Sequence, residues 1–436
     1  MHDAVDLRDL VAGELAQRRE SGYDVSGLQT AVEAALRDGS APLDELLDRL
    51  EQAPRLEDWP YEEPSQLEEI LARLPETPPM PPRLEEAQLR ERLLGAWFGR
   101  CAGCTLGKPV EGWTHDQVRR YLEQAGAYPL RDYLPVLEPA PEGLELRACW
   151  PETTRGRVRF MARDDDIDYT ILGLHILESH GFGFGPRDVA AEWLDHLPFT
   201  RTYTAERVAY RNLVLGLHPP ETATCRNPYR EWIGAQIRGD MWGYVSPGNP
   251  RQAATLAFRD AAVSHTANGI YGEMWSAALI ATCLVAPDVR SALVVSLEHI
   301  PPRARLTEAL RQVLDLHASG LDWPDARDEI EARYGQYGWV HTINNAAVVA
   351  AGLLWGDGGY ARTVGLVVQA GWDTDSNGAT AGSVYGALHG ATALPSAWTD
   401  PLGDLVRSAI VGYDNARISD LAERTLRLAL RPPARA

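Results

Sequence analysis

Positive charge is what this 436-residue chain has least of. Lysine and arginine together number 42 against 61 acidic residues, the net charge is −19, and Lys108 is the only lysine. A surface so short of cations does not neutralise nucleic-acid phosphates, so general nucleic-acid binding is excluded. The scarcity of lysine itself reads as the codon usage of a GC-rich genome. Cysteine is also scarce. Cys101, Cys104, Cys149, Cys225 and Cys283 make an odd count, which argues for reduced thiols. Cys101-Ala-Gly-Cys104 has the spacing of a redox pair, but no thioredoxin-like strand precedes it, and buried packing residues are the expectation. No run reaches the roughly 18 apolar residues of a spanning helix. The start, Met1-His2-Asp3-Ala4-Val5-Asp6, lacks the basic stretch and apolar run of a secretion signal. No membrane association and a cytoplasmic location are therefore expected. A Gly-rich phosphate loop, zinc-type Cys/His spacing, a G-x-S-x-G elbow and a fixed-period repeat are all missing. Strand-like alternation is scarce as well, which leaves helical periodicity and an all-α fold.

The length suggests two or three folding units. Residues 1–80 read as a small acidic helical module, since residues 1–86 hold 21 acidic and 8 basic side chains. Leu7, Leu10, Val11 and Leu15 recur at helical spacing, as do Leu28, Val32, Ala35 and Leu36, and then Leu43, Leu46, Leu47 and Leu50. Asp24 or Ser26 would start the second helix and Gly39 would end it. No chemical motif lies here, and packing, oligomerisation or partner binding are the roles open to it. Pro75, Pro78, Pro79, Pro81 and Pro82 then form a linker ending at 81–86, because proline at this density cannot continue a helix.

The main domain, 87–430, begins with a helix over Leu89–Gly103, with Gly95, Ala96, Gly99, Ala102 and Gly103 along it. Pro109 stops that helix and puts Glu111 on a loop. Residues 125–160 are proline-rich and irregular, a character often tied to function. Further helices are predicted over Arg187–His196, Thr204–Gly216, Tyr229–Arg238, Pro250–Ala262, Ile270–Val285, Val289–Leu297, Thr307–Ala318, Asp325–Tyr334, Ala346–Leu354 and Tyr360–Ala370. Leu402–Leu430 supplies closing helices. Between two of these, Gly239–Pro250 reads as a loop whose glycines and aromatics would line a pocket. Thr342, Asn344 or Asn345 would cap the Ala346 helix.

Two acidic clusters carry the chemistry. Asp164-Asp165-Asp166-Ile167-Asp168 precedes the apolar positions Ile171, Leu172, Leu174, Ile176 and Leu177. One or two aspartates there would cap a helix and suit its dipole, but three in succession repel one another and call for a cation. Gly371-Trp372-Asp373-Thr374-Asp375-Ser376-Asn377-Gly378 lies about 200 residues later. Its two carboxylates and hydroxyl are either helix caps or hard-cation ligands. If the fold joins the clusters, two divalent ions, Mg2+ by preference, would balance them. Such a pair can grip sugar hydroxyls or serve phosphoryl transfer, and the clusters alone leave both open.

Four segments in order resemble the ADP-ribosylglycohydrolase family. Gly95–Gly99 through Gly107-Lys108-Pro109-Val110-Glu111 resembles its G-x-x-x-G…G-x-P-x-E motif. Asp164–Thr170 resembles T-D-D-T-x-x-T, Ser264-His265 resembles T-H, and Gly371–Asn377 resembles G-G-D-T-D-[TS]-N. The resemblance covers about residues 87–430 and implies a binuclear Mg2+ site, with Mn2+ as a substitute. By motif position Asp164, Asp165, Asp166, Asp373, Asp375 and Ser376 would be ligands. Glu111 and Asp166 would be catalytic, and His265, Asn268, Gly371 and Trp372 would bind substrate. Asp164 stands where the family has a threonine, Ile167 replaces a second threonine, and Trp372 replaces a glycine, which would narrow the pocket or offer a stacking face. The implied reaction is hydrolysis of the anomeric bond of an ADP-ribosyl group on a protein or a small molecule. The alternatives are a metal-dependent hydrolase of small N- or O-ribosides, and a non-catalytic ADP-ribose binder. The oligomeric state is left open.

Overall fold

In the helix Glu86–Gly107, glycines recur at intervals of four: Gly95, Gly99, Gly103 and Gly107. They face Gly386, Gly382, Gly378 and Thr374 of the antiparallel helix Thr374–His389. A Cβ at Gly99 would stand 2.2 Å from the Gly382 carbonyl oxygen, and one at Gly382 would stand 2.1 Å from that of Gly99. The two backbones touch, an approach that the lack of a Cβ allows. Because the pair is antiparallel, the end of one helix abuts the start of the other. Thr374 Oγ1 donates to the Gly107 carbonyl at 2.8 Å. The Lys108–Glu111 loop and the Asp373 turn are thereby set side by side.

The structure is a computed structural model that describes residues 6–39, 41–76 and 84–431. Pro78, Pro79, Pro81 and Pro82 of the expected linker lie outside the described residues. Among the described residues all regular elements are helices, and β pairing is limited to isolated bridges. The fold is all-α, as the periodicity predicts. No described helix is long and apolar enough to cross a membrane.

Arg100, wholly buried in the glycine-rich helix, draws in a third helix, Asp165–His180. Its guanidinium donates to the carbonyl oxygens of Asp166 (2.7 Å) and Ile237 (2.6 Å), to Thr170 Oγ1 (2.9 Å) and to the Asp240 carboxylate (2.7 Å). A buried charge survives only when paired and hydrogen-bonded in this way. Arg100 therefore fixes where the first acidic cluster begins.

The helices Leu7–Glu20, Ser26–Asp38 and Leu43–Glu51 pack Leu10, Val11, Val32, Ala35, Leu46, Leu47 and Leu50 into a small core. Gly39, at φ 73°, ends the second of them. Ala205, Val208 and Tyr229 of the main body complete that core. A buried polar network fastens the same segment. Glu63 accepts from Arg305 and Asn268, while Gln17 and Ser21 donate to Glu231.

Several helix predictions need correction. Tyr229–Arg238 is turns followed by a 3-10 helix at Gln236–Arg238. Tyr229, Ile233 and Ile237 have helical spacing, but Ile233 N donates across to the Val340 carbonyl at 2.8 Å, which pulls the chain out of a helix. Gly239–Tyr244 is a short buried helix, with Gly239 and Gly243 packed on Ala267–Cys283. Its glycines serve helix contact, and residues 239–250 line no pocket with the acidic clusters. Of Leu402–Leu430 only Ile418–Ala429 is an α-helix, because Gly403, Asp404, Gly412 and Asn415 all have positive φ. The helix at 342 begins at Thr342 and is capped by His341, whose Nδ1 accepts from Ile343 N. Cys101 and Cys104 are buried, and burial pushes the Cys101 thiol up to about 12, as befits a packing residue.

Candidate active site

Asp164 caps the helix Asp165–His180 in extended geometry, and its side chain accepts from Asp166 N at 3.0 Å. One carboxylate of the first cluster is thus a helix cap, and it also pairs with Lys108. Asp168 points elsewhere. It binds Arg163 (2.7 Å), Ser408 Oγ (2.6 Å) and Ala409 N (2.9 Å) and braces the helix from behind.

The second cluster does not cap. Asp373 occupies the cap position of Thr374–His389, but its side chain makes no capping bond. The turn is held instead by its neighbours. Asn345 Oδ1 accepts from Asp373 N (3.2 Å) and from Asn377 Nδ2 (2.8 Å). Trp372 N donates to Trp113 O, and Gly112 N to Trp372 O. These bonds hold Trp372 at φ 68°, a conformation strained for so bulky a residue. Gly371 is at φ 83°, where a Cβ would meet Trp113 O and His115 N at 2.7 Å. Released from capping, the aspartates face inward.

The two clusters meet. Ser376 Oγ donates to Asp166 Oδ2 at 3.1 Å. Asp164, Asp165, Asp166, Asp373, Asp375, Ser376 and Glu111 line one cavity of about 470 Å³, a size typical of small-molecule sites. A larger depression of about 670 Å³ beside Tyr61 and Arg303 is more open and gathers no comparable cluster.

The electrostatics are those of carboxylates forced together. Burial and the charge of Asp164 push Asp165 up to about 8 and raise Asp166 well above the ordinary range. Burial and Asp375 raise Asp373, while burial and Asp164 raise Asp375. Burial would raise Asp164 too, but Lys108 beside it outweighs that and holds it below the usual range. Glu111, with a third of its side chain exposed, is pushed up to about 8 by burial and Asp375 despite Arg147 at 3.6 Å. Asp166 Oδ1 and Asp375 Oδ1 are shut off from solvent and accept no hydrogen bond, although Arg100 Nη2 stands 3.5 Å from the first of them. A carboxylate oxygen in that state is costly unless a cation or a proton meets it, and all-oxygen donors of this kind suit a hard divalent ion. Cys104 Sγ lies within 4.8 Å of carboxylate oxygens of Asp164 and Asp166. Burial raises that thiol well above its ordinary value, and a soft sulfur is a poor match for the hard cation that an oxygen-rich set selects.

Other predicted residues lie apart from the cavity. His265 is buried behind Glu206, its Nε2 4.0 Å from that carboxylate and its Nδ1 2.8 Å from Ser264 Oγ. Burial and Arg238 hold it neutral. Asn268 bonds Glu63 and Glu231 in the network that fastens the N-terminal segment. Trp372 is 8% exposed and belongs to the main core. The aromatic walls come from Tyr203, Trp232 and Trp339 instead, with Arg147 and Glu206 beside them. None of these carries a local signature. Asn345, which positions the Asp373 turn, reads in the sequence only as a helix cap.

The family described as ADP-ribosylglycohydrolase matches residues 85–434. A solved chain described as an "ADP-ribosylglycohydrolase-related protein complex" superposes with a TM-score of 0.50 at 18% identity, over 79% of this chain and 100% of that one, and speaks for the fold. No curated protein matches the chain. The family is one of metal-dependent glycohydrolases that act on ADP-ribosylated substrates. With four fifths of its length matched and its acidic motifs gathered in one cavity, the chain belongs to the ADP-ribosylglycohydrolase family.

Proposed function

We propose that this protein hydrolyses the anomeric bond of an ADP-ribosyl group and releases ADP-ribose, in a reaction that depends on Mg2+ or, as a substitute, Mn2+. The carrying observation is the pair of buried carboxylate oxygens on Asp166 and Asp375 that accept no hydrogen bond, in a cavity that joins two clusters 200 residues apart. Asp164, Asp165, Asp166, Asp373, Asp375 and Ser376 are the residues that would hold two ions. When bound, the ions would neutralise these carboxylates and polarise sugar hydroxyls or water.

The chain's own residues fit the rest of the chemistry. Glycoside hydrolysis develops positive charge at the anomeric carbon and uses carboxyl groups as acid and base. Glu111 sits at the half-exposed edge of the cavity with its proton affinity raised to about 8. That value lets it hold or accept a proton near neutrality, the range where acid–base catalysis is most effective. Asp166, placed by Arg100 and Ser376, is the second carboxylate. Trp232, Trp339 and Tyr203 give flat faces for a base to stack on. Arg147, whose Nε donates to the Glu111 carbonyl at 2.9 Å, supplies positive charge at the same edge.

The rival reading, hydrolysis of small ribosides, uses the same acidic centre with a smaller ligand. A substrate panel separates them. Arginine- and serine-linked ADP-ribosyl peptides and free nucleosides are incubated with the protein in Mg2+ or EDTA. Mg2+-dependent release of ADP-ribose from a peptide supports the proposal, and cleavage confined to nucleosides replaces it with the rival.

A further inference from the structure

At the far end of the helix that begins with Asp165, three histidines surround one glutamate. His175 and His180 come from that helix, and Glu192 and His196 lie one turn apart on Pro186–His196. Glu192 Oε2 is 3.0 Å from His175 Nε2 and 2.8 Å from His196 Nδ1, and Oε1 is 2.7 Å from His180 Nε2. Ligand atoms of His175, Glu192 and His196 all fall within 4.8 Å of one another.

Hydrogen bonding to Glu192 does not account for all of this. His196 Nδ1 is shut off from solvent and makes no hydrogen bond, although the carboxylate is near. His175 Nδ1 lies 3.1 Å from Tyr413 Oη, which also accepts from Arg424 at 2.9 Å. A proton on Nδ1 toward Tyr413 leaves the Nε2 lone pair facing Glu192. A metal-binding histidine has this character, with one nitrogen on the ion and the other anchored by a polar neighbour. Imidazole-rich donors with one carboxylate suit zinc and its transition-metal neighbours, whereas the acidic cavity suits a hard cation. The side chains of His175, Glu192 and His196 are 19%, 12% and 27% exposed, so an ion can reach them and still be held.

We propose that His175, Glu192 and His196, with His180 beside them, bind one divalent ion of the zinc class at a site separate from the acidic cavity. The ion would clamp the Asp165–His180 helix to its neighbour. It would also steady the strap after Val406, which meets His196 through Val411 N at 3.0 Å and braces Asp168 through Ser408 and Ala409.

The test uses full-length protein stripped with EDTA and re-equilibrated with Zn2+ in a large excess of Mg2+, which competes for the oxygen-only cavity. After desalting, metal analysis should find one zinc per chain in the wild type and in Asp375→Ala, and none in the His175→Ala/His196→Ala double variant. A wild type without zinc, a double variant that keeps it, or an Asp375→Ala protein that loses it would each overturn the proposal. X-ray absorption at the zinc edge of the wild type gives an answer that does not depend on how the variants fold. Scattering from at least two imidazoles is expected, and a shell of oxygen alone would overturn the site.

Discussion

Ser376 and Asp166, 210 residues apart in the chain, are joined by a 3.1 Å hydrogen bond from the serine hydroxyl to the carboxylate. The bond ties the start of one helix to the start of another, and both partners are nearly buried. Ser376→Ala should therefore weaken Mg2+ affinity by roughly 10- to 100-fold, the usual effect of losing a group at or next to a metal. The fold should survive, since the glycine contact and Arg100 hold the helices independently. Calorimetric Mg2+ titration beside a melting curve checks this, and unchanged affinity would remove Ser376 from the site.

The glycine contact sets the geometry of the whole cavity. Gly99→Ala would drive a methyl group against the Gly382 backbone, and no side-chain motion can relieve that clash. A loss of about 1–3 kcal/mol or more is expected, as for overpacked cores. Denaturant unfolding measures it. A similar change at Gly126, which has open space around it but φ 62°, should act only through its backbone conformation.

In the metal-free cavity, burial pushes Asp165 and Glu111 up to about 8. These groups hold protons at neutral pH, whereas a cation binds the carboxylate form. Mg2+ binding at about pH 7 should therefore release protons, and its affinity should climb with pH until the groups are ionised above about pH 8. Titration calorimetry in buffers of different ionisation enthalpy reads the released protons directly. An affinity that is flat with pH, with no proton release, would contradict the assignment.

Much of this was legible in the sequence. Helical periodicity specifies the fold class, and both acidic clusters stand out because their members are chain neighbours at helix starts. The cavity walls were not legible. Tyr203, Trp232 and Trp339 come from three separate segments and share no spacing, so only the tertiary fold brings them together. Apolar spacing misleads at Tyr229–Arg238, where the Ile233–Val340 backbone bond and the Trp232–His341 bridge override helical preference. His175, Glu192 and His196 are spaced like ordinary helix-surface residues and acquire meaning only when the two helices pack. Asn268 follows the Ser264-His265 motif closely, yet it is turned toward Glu63 and away from the cavity.

Glu63 tests how firmly the acidic N-terminal segment is built in. Its buried carboxylate accepts from Arg305 N (3.0 Å), Arg305 Nε (2.9 Å) and Asn268 Nδ2 (2.8 Å). Glu63→Ala would leave those donors short of a partner, and breaking a buried pair costs about 3–5 kcal/mol. Chemical denaturation should show a loss of that order. A loss below about 1 kcal/mol, the range of surface pairs, would mean that the segment is only loosely docked.

We propose that the joined aspartate clusters carry out the hydrolysis. This is tested most directly by ADP-ribose release from an ADP-ribosylated peptide, measured for the wild type and for Asp375→Ala in Mg2+. Wild-type release that EDTA abolishes is expected, with a fall of at least about 100-fold in Asp375→Ala, equivalent to losing a few kcal/mol of transition-state stabilisation. Unchanged turnover in an Asp375→Ala protein with an intact helical signal would contradict it.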